Sequence, residues 1–469
     1  MPRKYQIHAK NTDPRFPPIG KYITVEFRED CAGSCRLCVK KRCVYGIFKE
    51  NFLHWSSMET PEFLYTCKSC LRCVEECTRG IFSLAVNPEY RTLGDNYWTA
   101  GIINSTWAQA HTGKVPVSGA GYRGPFTGEG FDSIWTDMSE IVRPTRDGIH
   151  GREYINTLVE LSRRPTRLKF KQDGSLTLAD QPILEIPVPF VFQEPDFGVF
   201  SVKEILAMAM AAKKIDTLFF IRPESYSPAL SDYTLNLVPC LTRQNIKNNI
   251  ELILKCRMIE LKNEPGIEEL FAGLRAVRPE VFISVGLPLD ARATDRALEL
   301  AGTDVDTIHF YGTPDGRETN GSQPRYLKDM IREIHLKLVE NRVRHKVNLL
   351  FSGGIAMAEH VAKSLICGAD AVGVDIPLLL ALECRLCYRC KQGKDCPVKL
   401  SEIEPGWGCQ RIVNLASAWH SQLLEVMGAF GIREARRMRG EVGRSMWFED
   451  LEKESFGPLF GSRKVYGTG

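Results

Sequence analysis

From residue 183 onward the chain alternates short apolar runs with amphipathic stretches. Short apolar runs predict buried strands, and recurrence every three to four residues between them predicts helices. The strands fall at 184–192, 216–221, 236–241, 256–261, 281–285, 306–310, 347–351 and 370–374, with helical patterns at 201–213, 266–277, 290–301, 324–341 and 356–366. Eight strands with helical crossovers in about 190 residues predict an α/β fold. It is a (β/α)8 TIM barrel, a little under the usual ~250 residues. A doubly wound open sheet is the alternative. Pro239 makes the third strand the weakest of the set.

The flanks follow other patterns. Residues 91–180 are rich in glycine and proline, yet they hold Tyr97, Trp98, Trp107, Tyr122, Phe126, Phe131 and Trp135. So many aromatics argue against a disordered spacer and for an ordered, irregular collar. Within it, Gly119-Ala120-Gly121-Tyr122-Arg123-Gly124 matches G-x-G-x-x-G, but Pro125 and two further glycines follow, so a turn-rich loop is the better account than a dinucleotide site. Residues 401–469 have helical character around 408–428 and 430–437 and should wrap the barrel. The predicted units are 1–90, a ferredoxin-like iron–sulfur domain; 91–180, the collar; 181–400, the barrel; and 401–469, a C-terminal helical extension.

Composition narrows the function classes. The chain has 469 residues, 43% hydrophobic and 25% charged, with a formal net charge of +4. That charge is too small to point to nucleic acid, and no apolar run approaches the ~20 residues of a membrane span. The start, Met1-Pro2-Arg3-Lys4-Tyr5, carries no apolar secretory segment, so a cytoplasmic location is expected.

Sixteen cysteines change this ordinary picture. Eight lie in two quartets: Cys31, Cys35, Cys38, Cys43 and Cys67, Cys70, Cys73, Cys77. The second reads C-x2-C-x2-C-x3-C, the spacing that gives three thiolates to one iron–sulfur cube and the fourth to another. The first is a looser version. Two 4Fe-4S clusters are expected, with Cys31, Cys35, Cys38 and Cys77 on one and Cys67, Cys70, Cys73 and Cys43 on the other. Zinc is the competing reading, since C-x2-C pairs also build zinc ribbons.

Two further patterns lie at the end of the barrel. Ser352-Gly353-Gly354-Ile355 follows an apolar strand and opens a helix, and Gly368-Ala369-Asp370-Ala371-Val372-Gly373-Val374 comes about twenty residues later. Loops after the last two barrel strands form phosphate sites, where glycines let backbone N–H groups approach. FMN is the phosphate-bearing ligand that suits a chain with iron–sulfur wires. Directly after the last strand, Cys384, Cys387, Cys390 and Cys396 read C-x2-C-x2-C-x5-C-P, a third cluster motif at the mouth of the barrel, with zinc again the alternative.

These residues resemble the FMN-binding domain of glutamate synthase, specifically the ferredoxin-fused, glutamate-synthase-related proteins of archaea and anaerobic bacteria. The resemblance runs from about 115 to 440. It is strongest in Trp135-Thr136-Asp137-Met138-Ser139, Arg143-Pro144-Thr145-Arg146-Asp147-Gly148, Ser352-Gly353-Gly354 and the C-terminal cysteines. Phe197-Gly198-Val199-Phe200-Ser201 looks like the family's flavin-side M-S-F-G-A-L-S, and Tyr311-Gly312 with Gly316 like its glycine-rich loop after the sixth strand. The resemblance implies Gly198, Ser201, Lys262, Ser352, Gly353, Gly354 and Gly373 as flavin-side residues. It implies a three-iron (3Fe-4S) cluster on C-x5-C-x4-C-P; here Cys387 is an additional thiolate, which fits a third 4Fe-4S cube instead.

Departures concentrate in the substrate loops. The family's V-K-L is Val285-Gly286-Leu287, so an expected lysine is missing. Its N-T-G-E-G-G loop is replaced by Arg222-Pro223-Glu224-Ser225, and the loop after the fourth strand is reduced to Lys262-Asn263-Glu264-Pro265-Gly266. His309, Asp315, Arg317, Glu318, Arg222 and Glu224 are the candidate catalytic groups. The competing readings are a satisfied core histidine at His309 and a solvated pair at Arg317 and Glu318. Cys240, Cys256 and Cys367 read as packing residues. The implied activity is a glutamate-synthase-type oxidoreductase acting on a 2-iminoglutarate-like substrate; the alternative is an electron-transfer subunit with no small substrate. Implied partners are ferredoxin or a redox subunit, with a separate NAD(P)H-oxidising or amidotransferase subunit.

Overall fold

The computed structural model describes residues 5–16, 19–27, 71–80, 82–115, 128–136, 155–162, 169–177, 183–197 and 201–461. Before the barrel runs helix α1, Ala100–Thr112. Eight parallel strands then close in chain order: β1 Phe190–Gln193, β2 Phe219–Ile221, β3 Leu237–Leu241, β4 Met258–Lys262, β5 Phe282–Pro288, β6 Thr307–Tyr311, β7 Asn348–Ser352 and β8 Ala371–Val374. Closure is made by β8 against β1, with Val372 opposite Phe190, so the open-sheet alternative is excluded.

The helices between them are α2 Val202–Ile215, α3 Ile250–Lys255, α4 Glu269–Val277, α5 Ala293–Ala301, α6 Leu327–Glu340 and α7 Ala358–Cys367; α8 Ile376–Ala381 and α9 Pro405–Phe430 follow β8. No helix among the described residues is long and apolar enough to cross a membrane.

Two details differ from the pattern-based expectation. The run 184–192 is two elements. Glu185–Ile186 pairs with Val159–Glu160, and prolines 187 and 189 break the chain before β1 starts. The collar is not wholly irregular, because α1 is a regular helix capped by the Thr99 side chain and ended by Gly113 in the left-handed region. Its buried Ile103, Trp107 and Ala110 recur at helical spacing and pack it against α8 and α9. Pro239 is tolerated because β3 pairs with β2 through Leu237–Pro239 and with β4 only from Cys240, so the missing N–H falls where the strand changes partner.

An antiparallel pair, Tyr22–Phe27 with Phe82–Val86, brackets both N-terminal cysteine quartets. Cys31, Cys35, Cys38, Cys43, Cys67 and Cys70 lie outside the described residues. Cys73, in the short helix Arg72–Glu75, and Cys77, just after it, are half-buried.

Candidate functional site

Side chains on a strand alternate between faces, so every second residue of each barrel strand points inward. The lower interior is apolar, built from Val191, Phe220, Val238, Met258, Leu350 and Ala371. Above it lies a polar layer. His309 Nδ1 meets Glu260 Oε2 at 2.7 Å, and His309 Nε2 meets Ser352 Oγ at 2.6 Å. With Nδ1–H donating to the carboxylate, Nε2 accepts from the serine hydroxyl. Ser284 Oγ donates to Glu260 Oε2 at 3.1 Å, Tyr311 OH donates to Oε1, and Cys240 Sγ stands 3.5 Å from Oε1. Glu260, Ser284, His309 and Ser352 are all buried. One carboxylate thus collects four donors in a site where an unpaired charge would cost several kcal/mol. Burial, reinforced by Glu260, pushes the Tyr311 and Cys240 pKa values well up.

Gly286 explains the missing lysine. A Cβ there would stand 2.8 Å from Glu260 Oε1 and 2.9 Å from Tyr311 Cε2. The space that a lysine stem would leave by is filled by the Glu260–Tyr311 pair. Gly373 is used in the same way: its Cβ would lie 1.9 Å from Ser352 Oγ. Gly373 therefore sits inside the barrel wall, on the inward face of β8.

The loop after β7 is built on backbone. Gly353 and Gly354 have φ of +100° and +67°; a Cβ on the first would meet Gly312 O at 2.6 Å, and on the second Gly316 Cα at 2.3 Å. Only glycine fits both the dihedrals and the approach. Gly312 N donates to Ser352 O at 2.8 Å, and Tyr97 OH donates to Gly354 O, so the β6 and β7 loops and the segment before α1 lock together. The N–H groups of Gly353, Gly354 and Ile355 are buried and donate to no carbonyl or side chain among the described residues. Buried backbone donors are nearly always satisfied, so such a cluster points to an anionic ligand. After β8 the picture differs. Asp375 caps α8 by accepting from Ile376 N at 2.6 Å, and burial raises its pKa to about 6. Pro377 removes a further donor from that helix start.

The other candidate residues lie apart from the polar layer. Arg222 donates to Glu194 through its backbone N at 2.8 Å and its Nε at 2.9 Å, and Ser225 Oγ joins the same carboxylate at 2.6 Å, so the loop after β2 is internally paired. Arg317 stacks on Tyr326 at 4.3 Å, and Glu318 is held by Arg325 at 2.7 Å. These two side chains do not pair with each other; each shapes the β6–α6 loop. Lys262 is exposed at the upper end of β4. Ser201 caps α2 with Glu204 in a capping box, while Gly198 lies outside the described residues, as do the 119–124 glycine motif and residues 137–148.

Cys384, Cys387, Cys390 and Cys396 are half-buried in the segment after α8. Burial pushes Cys384 up to about 12, and the other three thiols are near enough to add to that rise. Four of the seven described non-glycine residues with left-handed φ, Glu383, Leu386, Tyr388 and Lys399, lie in this segment. Such strain gathers where a loop is held to a purpose. The chain leaving the N-terminal module reaches this same loop: Gly94 N donates to Arg385 O at 3.3 Å, and Tyr388 OH donates to Asp95 at 2.7 Å. Cys409, by contrast, is buried in α9 near Lys214 and Glu404.

Residue reading missed Glu260, Ser284 and Gln193, and took Cys240 for packing. The signal was present: Glu260 is a carboxylate at an inward position of Met258-Ile259-Glu260-Leu261-Lys262. Gln193 Oε1 is buried without a partner at the end of β1.

Comparison with known proteins gives one family match and several relatives. The family described as the conserved region in glutamate synthase matches residues 242–433, from the loop after β3 through α9. The archaeal glutamate synthase (NADPH) of Archaeoglobus fulgidus is 25% identical over 92% of this chain and 96% of its own length. The archaeal-type glutamate synthase (NADPH) of Dehalococcoides mccartyi is 24% identical over 90% of this chain and 94% of its own. That of Methanocaldococcus jannaschii is 24% identical over 76% and 83%.

Proposed function

We propose that this chain, a glutamate-synthase-related protein, is an FMN-dependent iron–sulfur oxidoreductase that delivers electrons from cysteine-bound clusters to a small imine of the 2-iminoglutarate type. The observation that carries the reading is the trio of buried, unsatisfied N–H groups at Gly353, Gly354 and Ile355, at the barrel position where a phosphate binds. Gln193 Oε1 adds a buried acceptor that lacks a donor, as a ring N–H of a flavin would supply. FMN would contribute the junction between one-electron clusters and two-electron chemistry.

The chain's own residues do the rest. Gly353 and Gly354 hold the phosphate, with Gly312 and Gly316 backing their loop. Glu260 fixes the His309 tautomer, and His309 holds Ser352, so a buried hydrogen-bonded line ends at the phosphate loop. Cys384, Cys387, Cys390 and Cys396 carry a 4Fe-4S cube, and the eight N-terminal cysteines carry two more. The contacts of residues 94 and 95 with 385 and 388 support a path from the module to the third cluster's loop. Ferredoxin or a redox subunit feeds the wire from outside, and NAD(P)H oxidation and ammonia release belong to separate subunits.

The packing at Gly286 favours a second reading, an electron-transfer subunit without a substrate of its own. Glu260 and Tyr311 occupy the lysine's space, and the candidate catalytic Arg222 is bound by Glu194, so the expected lysine is lost and this arginine is paired. Anaerobic reduction followed by 2-oxoglutarate and ammonium separates the two. Flavin reoxidation with glutamate formation supports the enzyme; no reoxidation, with rapid electron exchange with ferredoxin, supports the subunit.

A further inference from the structure

The N-terminal segment, residues 5–16, lies along α9. Lys10 N donates to Asn414 Oδ1 at 3.0 Å, Asn414 Nδ2 donates back to Lys10 O at 2.7 Å, and Trp407 Nε1 donates to Asp13 O at 2.9 Å. No part of the proposed electron path uses this segment. Its last residues nonetheless reach the third cysteine loop.

Arg15 touches that loop at both ends. Just before Cys384, the Arg15 backbone N donates to Glu383 Oε1 at 2.7 Å, and its Nε stands 3.3 Å from Oε2 of the same buried carboxylate. Just after Cys396, its Nη2 donates to Val398 O at 2.7 Å and its Nη1 to Lys399 O at 3.4 Å. A planar guanidinium presents its donors in a fixed fork, so one side chain can hold two stretches of chain at a set separation. The Trp407 ring supports it, 4.8 Å from the Arg15 guanidinium and 5.1 Å from that of Arg411. Buried Arg411 tightens the near end, donating to Ala381 O at 2.6 Å and to Thr12 O at 3.2 Å.

The backbone of the loop shows what the fork holds. Glu383 and Lys399, which Arg15 grips, have φ of +74° and +44°. Left-handed conformations in residues with side chains persist where surrounding contacts impose them. Between these two positions lie all four thiols. Arg15 also stands on the chain that leads into the N-terminal module, before strand Tyr22–Phe27, while Gly94 and Asp95 meet the same loop from the chain that leaves it. The loop is therefore tied to both chains of the module.

We propose that Arg15 is a positioning residue for the third cluster. Its fork pins the two ends of the ligand loop together and sets the four thiolates in register with the chain entering the N-terminal module. Pinning the ends reduces the entropy lost when the loop closes around a cluster. The proposal rests on the reading of Cys384, Cys387, Cys390 and Cys396 as cluster ligands.

The test compares the full-length protein, purified anaerobically, with Arg15→Gln and Arg15→Lys. Hydrogen exchange over residues 383–399 reports the loop, and iron per chain with EPR of the reduced protein reports the clusters. Exchange in Arg15→Gln should be at least about tenfold faster over 383–399 and unchanged in the barrel strands. Iron should fall from about twelve to about eight per chain, with flavin content and the N-terminal cluster signals kept. Arg15→Lys keeps the charge without the fork and should exchange as fast as Arg15→Gln, which assigns the effect to the fork. About eight irons in the parent would contradict the cluster reading, and hydrogen exchange would still judge the pinning. Exchange within twofold of the parent over 383–399, faster exchange spread evenly over the barrel, or unchanged iron with an unshifted EPR spectrum would overturn the proposal.

Discussion

The loops after β6 and β7 and the loops after β2, β4 and β5 crown the same barrel, yet they are made of different material. The first pair consists of glycine backbone packed on glycine backbone, with three buried donors left open. In and beneath the second group, side chains have found partners inside the protein: Arg222 of the β2 loop with Glu194, and Glu260 of strand β4 with His309, Ser284 and Tyr311. A backbone cradle can persist while side-chain specificity is rewritten, because glycine positions are fixed by sterics and not by what the ligand carries. The two halves of this mouth are therefore open to different tests.

That contrast breaks most sharply at Gly354. Gly354→Ala forces a left-handed alanine against Gly316 Cα, and the protein should be isolated with under a tenth of the parent's flavin, read as flavin absorbance per chain. Glu260→Gln strikes the other half. The amide can accept only part of what the carboxylate accepts, and about 2–4 kcal/mol of unfolding free energy should be lost in urea titrations, with flavin content changed far less.

Asp375 tests whether the β8 side weakens the cradle. Its folded pKa is raised from 3.8 to about 6, so the folded protein holds this proton more tightly than the unfolded chain does. The stabilisation that proton gives is full at low pH and fades as pH rises from 3.8 to about 6. Asp375→Asn should remove this slope and raise stability at pH 7 by about 1–2 kcal/mol, while tightening FMN binding several-fold. The smallest effect is expected at Glu318→Gln, which loosens a rim pair with Arg325. It should cost about 1 kcal/mol in a thermal melt.

Much of the architecture was legible in the chain. All eight barrel strands overlap the apolar runs, because buried parallel strands are nearly continuous in Val, Ile, Leu and Phe. The glycine pair at 353–354 was legible as well, since strand, glycines and helix follow in order. The polar layer was not. His309, Glu260 and Ser352 are 43 to 49 residues apart in sequence for each bonded pair, and only barrel closure at a given register brings them together. Arg317 and Glu318 misled in the opposite way, as adjacent charges that diverge to separate partners. α1 was hidden by the glycine- and proline-rich composition of the collar around it.

The cysteine loops can be set against each other through iron. Three cubes give about twelve irons per chain, and Cys387→Ser should lower the count to about eleven while leaving the N-terminal clusters in place. A three-iron centre in the parent would already give about eleven and would show an EPR signal when oxidised.

The retained cradle is tested most directly by comparing FMN with riboflavin on the deflavinated full-length protein, followed by fluorescence quenching. The two ligands differ only in the phosphate. If Gly353, Gly354 and Ile355 hold it, FMN should bind at least about a hundredfold more tightly, as several charge-assisted hydrogen bonds imply. Equal affinity for both, or no binding of either, would contradict a phosphate cradle at this loop.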